Sequence, residues 1–212
     1  MLKNTLNSIS PLDGRYASKL NDLEQYFSEF ALIKNRVLVE INWLIFMSRT
    51  KSLSFIPALS KSKENSLLKV IDNFSIKDAE QIKKIEAKTN HDVKAVEIFI
   101  GKKLESLNLN KYKEFVHLFC TSEDINNLSY SLMLKGYLDS EFKKTNSTLL
   151  KDLKSKSKKW SKLAMLSFTH GQTASPTTLG KEIANFHERI KFHLNLLKSL
   201  NPSGKFNGAV GN

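Results

Sequence analysis

TSEDINNLSYSLMLKGYLDSEFKKTNSTLLKDLKSKSKKW, residues 121–160, is the stretch whose reading decides the fold. Ile125, Leu128, Leu132, Leu138, Phe142, Leu149, Leu153 and Trp160 recur at helical spacing, and no proline interrupts them. Thr121 supplies a cap, and Asp124 three residues on supplies a first-turn acid. The spacing predicts a helix of about 40 residues, or roughly 60 Å at the rise of an α-helix. So long an amphipathic helix needs other helices to cover its apolar stripe.

Downstream, SFTHGQTASPTTLGKE (Ser167–Glu182) reads as a glycine-jointed loop in which Ser175 and Pro176 form an N-cap and first helical position. Leu179, Ile183, Phe186, Ile190, Leu194 and Leu197 then mark a second long helix that ends before Pro202. Two such helices do not close a bundle, so their partners lie elsewhere in the chain or in neighbouring subunits. The final KFNGAVGN neither caps a helix nor resembles a finished tail, which points to a truncated chain.

Upstream, Leu23, Phe27, Phe30, Val37, Ile41 and Leu44 predict helix from Asn21 to about Thr50. Ser75 with Asp78 has the spacing of a capping box, and Ile76, Ala79, Ile82 and Ile85 follow as a stripe. In TNHDVKAVEIFI, Thr89 or Asn90 can cap a further helix carrying Val93, Val96 and Ile100 on one face, which puts His91 at its N-terminus. With 8 Gly, 4 Pro and no clearly alternating apolar runs, the expected class is all-α.

The chain has 212 residues, 41% hydrophobic and 25% charged, a composition that can build one large or two small cores and that argues against disorder. One cysteine, Cys120, excludes an internal disulfide and a multi-thiolate metal site, and it suits a reducing compartment. The N-terminus lacks a signal-peptide core and no apolar run is long enough to span a bilayer, so the expectation is a cytoplasmic protein without membrane contact. The net charge of +12 invites a nucleic-acid reading. Much of it, however, lies in KDLKSKSKKWSKL, where the lysines point all round a helix, as on a solvated surface.

Three helix starts carry polar residues able to meet an anion: Thr89-Asn90-His91-Asp92, Thr121-Ser122-Glu123-Asp124, and the Thr169-His170-Gly171-Gln172 loop leading into Ser175. Each also reads as an ordinary cap. His170 is the sharpest candidate, because an imidazole beside a glycine can approach a ligand and move a proton. A structural loop histidine is the plain alternative. Arg15 and Tyr16, just past a Pro-x-Asp-Gly turn, suit a phosphate or carboxylate, or else a surface salt bridge. Ser122 lacks a recognisable base for nucleophilic work and is better placed as a donor. The five histidines form no H-x-x-x-H pair, so no metal is expected.

Read together, SPLDGRY, TNHDVKAVE, FCTSEDINN, THGQ-x-x-x-P-x-x-x-GKE and NGAVGN resemble the adenylosuccinate lyase family of the fumarase/aspartase superfamily, from Ser10 to the last residue. The resemblance implies a small N-terminal helical domain over 1–110, and over 111–212 the first long helices of the fumarase/aspartase-type bundle. It implies cofactor-free elimination of fumarate from adenylosuccinate, giving AMP, and from the succinylated carboxamide ribotide SAICAR, giving AICAR. His170 would be the general acid, and Arg15, Tyr16, Asn90, His91, Asp92, Thr121 and Ser122 would contact substrate. Full-length members are homotetramers whose active sites are shared between subunits.

Two departures stand out. The family's serine-bearing signature loop, source of the catalytic base, is not in this sequence and is expected beyond residue 212. Phe168 stands where many members have Arg before the Thr-His pair. The rival readings are a non-enzymatic basic helical scaffold or nucleic-acid-binding fragment, and another lyase of the same superfamily.

Overall fold

The computed structural model describes residues 7–211, and among them the architecture is helical with one small hairpin. Helices α1 (Asn21–Phe27), α2 (Glu29–Arg49), α3 (Lys61–Asp72), α4 (Ile76–Thr89) and α5 (Asp92–Ser106) come first. After a 3-10 stretch at Asn110–Phe115 follow α6 (Ser122–Tyr137), a π-helical turn (Leu138–Phe142), α7 (Lys143–Lys159), strands β1 (Ala164–Thr169) and β2 (Gln172–Thr178), and α8 (Leu179–Lys198). The all-α expectation holds. The chain divides into two compact units, residues 1–136 with 203–212, and residues 137–202.

The first unit is built around α2. Its periodicity predicted one helix from Asn21, but Ser28 is extended and its hydroxyl accepts from the Ala31 N–H, so α1 ends there and α2 starts afresh. Ile33, Val37, Ile41 and Leu44 face a core completed by Leu67, Ile82, Phe99, Ile100, Leu104 and Tyr112. Val39, on another side of α2, packs with Val93 of α5 and Ile125 of α6. Helix α2 is thus covered on two sides, which explains the dense apolar run from Val37 to Met47, interrupted by Glu40 and Asn42 alone. The expected capping box at the start of α4 is present in both directions, Ser75 with Asp78.

The second unit departs most from the sequence-based expectation. The long helix forms, but a π-helical turn interrupts it, with Tyr137 and Phe142 packed edge to face at 5.8 Å. The expected loop after it is an antiparallel hairpin, β1 with β2. Pro176 lies within β2 beside a register irregularity, where a strand tolerates a missing N–H, and the cap of α8 is Thr178, whose hydroxyl accepts from Lys181 N–H. Ser175-Pro176 therefore does not open the helix. Gly180 fits where α8 crosses the end of α7, because a Cβ there would meet the Ser157 carbonyl and lie 2.6 Å from Ser161 Cα. Its N–H donates to Trp160 O at 3.0 Å.

Candidate active site

In the first unit two helix beginnings are drawn to one corner. Arg36 of α2, largely buried, donates through Nη2 to Asp92 Oδ2 at 2.5 Å and through Nε to Asn126 Oδ1 at 2.8 Å. One guanidinium thus ties the start of α5 to the first turns of α6. The Val39–Val93–Ile125 contact fills the space beneath. First-turn N–H groups project from each helix here, a setting that favours an anion.

The sequence left the α5 cap open between Thr89 and Asn90, and the structure gives it to His91. Asn90 takes a left-handed conformation, φ 52°, closing α4, while His91 Nδ1 accepts from Lys94 N–H at 3.2 Å. The exposed His91 is thereby fixed to its own helix. Asp92 accepts from Val93 N–H as well as from Arg36.

The run from Val116 into α6 is strained. His117 and Phe119 both have positive φ, 62° and 65°, which bulky side chains seldom adopt. Trp43 Nε1 pins the segment by donating to Leu118 O at 2.8 Å, and His117 Nδ1 sits 2.6 Å from Glu40 Oε1. The Glu40 carboxylate against the ring raises the His117 pKa, in opposition to burial.

Asp124 has no exposed surface and does more than cap α6. It accepts from Thr121 N–H at 2.9 Å, from Asn207 and Gly208 N–H, and from Lys205 Nζ at 3.0 Å. Burial disfavours its charge, but these donors outweigh that and hold its carboxyl below the ordinary range. Asn127 exchanges two hydrogen bonds with the Lys205 backbone, and Phe206 packs on Trp43 at 4.3 Å. Asp124 and Asn127 thus join the start of α6 to residues 205–208, far away in sequence, as one structural feature.

Arg15 and Tyr16 lie on an exposed turn, the guanidinium 5.4 Å from the ring centroid. Among the described residues no hydrogen bond or ion pair ties them to the Asp92–Ser122 corner. His170 belongs to the second unit, where with Gly171 it forms the two-residue turn of the hairpin, φ 51° and 73°, between the paired Thr169 and Gln172. It is exposed at the hairpin tip. Among the described residues no group of three or more His, Cys, Asp or Glu is placed to hold a metal, and no helix is long and apolar enough to cross a membrane.

Sequence reasoning gave no role to Arg36, Glu40 or Asn126, weighed His117 only as a metal ligand, and read Asp124 as part of a cap or an anion-binding helix start. A signal was present for two of them. Arg36 and Glu40 stand one helical turn apart among Ile33, Val37, Ile41 and Leu44, and charges on such a face need partners.

The arrangement of helices is that of a known class. A fumarate lyase from Mesorhizobium sp. BNC1 superposes with a TM-score of 0.70 at 17% identity, over 89% of this chain and 42% of its own. A 3-carboxy-cis,cis-muconate lactonizing enzyme from Pseudomonas putida gives 0.69 at 19%, over 90% and 42%. These likenesses establish the fold. The family model described as Lyase matches residues 14–212, and the chain belongs to that family.

Particular relatives narrow the position. The adenylosuccinate lyases of Legionella pneumophila (strain Corby) and Haemophilus influenzae are each 44% identical over 213 residues, 100% of this chain and 47% of theirs. That of Escherichia coli K12 is 42% identical over 209 residues. The chain spans about half the length of these curated relatives.

Proposed function

We propose that this chain is part of an adenylosuccinate lyase, eliminating fumarate from adenylosuccinate to leave AMP and from SAICAR to leave AICAR, on the routes to AMP and IMP. The observation that carries the reading is 44% identity to adenylosuccinate lyases along the whole of the chain. The geometry supports it, because the α5 and α6 N-termini converge where an anionic substrate needs donors.

In the elimination a base removes a proton from the succinyl carbon next to a carboxylate. The C–H electrons form the double bond of fumarate, the C–N bond breaks, and the leaving nitrogen takes a proton. His170 delivers that proton from the exposed turn of the hairpin. Thr121 and Ser122, with the amide groups of the α6 start, stabilise the charge that builds on the succinyl carboxylate. Asn90, His91 and Asp92 receive the nucleotide portion, and Arg15 and Tyr16 its phosphate. The base comes from residues outside these 212. The protein works in the cytoplasm as a homotetramer whose active sites are shared between subunits, without a cofactor.

The test is conversion of adenylosuccinate by the native-length protein, with fumarate and AMP quantified by chromatography. Stoichiometric release of both is expected. No release, together with tight salt-dependent binding of DNA or RNA, would instead establish the scaffold reading. Fumarate release from a different amino-succinate alone would establish another lyase of the superfamily.

A further inference from the structure

We propose that Glu40 is a positioning residue for this reaction: its buried carboxylate grips the His117 ring at Nδ1 and so presents Nε2, at the entrance to α6, to an anionic group of the substrate. The inference rests on the lyase reading above. Glu40 is 1% exposed and lies in mid-helix on α2, an expensive place for a carboxylate with no task. Its Oε1 is 2.6 Å from His117 Nδ1, and its Oε2 is buried without a partner. Since a carboxylate only accepts, Nδ1 carries the hydrogen, which leaves Nε2 for a ligand. Among the described residues Nε2 has no hydrogen-bond partner.

The backbone gives independent support. His117 holds a φ of 62°, and Cys120 N–H donates to its carbonyl at 3.2 Å, so the ring is set at a fixed point of the turn that leads into Thr121 and Ser122. A strained non-glycine residue over-determined by a buried carboxylate is the pattern of a functional constraint. The charged groups around the ring are Glu40 on α2 with Glu97 and Lys94 on α5, and Glu40 dominates, raising the pKa of His117. Removing it lowers that pKa, so the imidazolium is lost at a lower pH.

The experiment is the pH dependence of kcat and KM for adenylosuccinate in the native-length protein, wild type against Glu40→Gln, His117→Asn and the double variant. Glu40→Gln is expected to lower kcat/KM roughly 10- to 100-fold, mostly through KM, and to move its alkaline limb to lower pH. The double variant should be no worse than His117→Asn. Wild-type turnover with a Glu40→Gln profile that keeps its alkaline limb would overturn this inference alone, whereas an inactive wild type would overturn the lyase reading beneath it. Nitrogen-15 NMR of labelled histidines in the wild type gives a check that needs no variant to fold. Saturation with AMP and fumarate together, which present every anionic group of the substrate, should shift His117 Nε2, and an unmoved signal contradicts the proposal.

Discussion

The two units of the chain treat their apolar side chains in opposite ways. In residues 1–136 with 203–212, Val37, Leu44, Phe99 and Leu104 are completely buried around α2. In residues 137–202 the only buried residue is Gly180, and Phe186 and Phe192 of α8 remain 59% and 60% exposed. Both units have helical periodicity, yet only the first finds within itself the surfaces its stripes require. The first unit is stabilised mainly by its own burial, and the second is an ordered scaffold whose apolar faces await cover. The proposed tetramer supplies that cover, and the hairpin bearing His170 belongs to the dependent unit.

The largest expected effect separates chemistry from folding in the second unit. His170→Asn keeps the turn, since Asn-Gly is the preferred pair for this geometry, but removes the imidazole. Turnover of adenylosuccinate should fall about 10²- to 10⁴-fold with an unchanged melting temperature. Retained turnover would remove His170 from the mechanism.

In the first unit, Asp124→Ala leaves the Thr121, Asn207 and Gly208 N–H groups and the Lys205 ammonium without their acceptor. A loss of about 3–5 kcal/mol is expected by denaturant titration. Because the folded-state pKa is depressed, this contribution is present above the unfolded value near about 3.9 and disappears as the pH falls through the lower folded value. Asp124→Asn should flatten that acid limb.

A matched pair of truncations sharpens the contrast. Leu44→Ala should cost about 2–5 kcal/mol, and Phe192→Ala in the 212-residue chain should stay within about 0.5 kcal/mol. In the native-length protein Phe192→Ala should weaken association, read by light scattering against concentration. The smallest effect is Ser75→Ala, about 1 kcal/mol by thermal melting, from loss of the capping box at α4.

The contrast also explains what the sequence made legible. Ser75 with Asp78 could be read directly, because a capping box is local chemistry at fixed spacing. The long helix from Ser122 was foreseeable for the same reason, although the π-helical turn was not. The hairpin was missed since its strands bury no residue and so lack a buried alternation, although the two-residue His170-Gly171 turn was a signal for it. His91, Thr121 and Ser122 stood out as helix starts. The long-range partnerships, Arg36 with Asp92 and Asn126, Glu40 with His117, Asp124 with residues 205–208, depend on tertiary placement that no local pattern encodes.

The most direct measurement is amide hydrogen exchange, residue by residue, on the 212-residue chain and on the native-length protein. The account predicts slow exchange in α2 and α5 in both, and slow exchange in α7 and α8 only in the native-length assembly. Equal protection of α2 and α8 in the 212-residue chain would contradict it, and would mean that the second unit is stable without the surfaces its exposed phenylalanines are inferred to need.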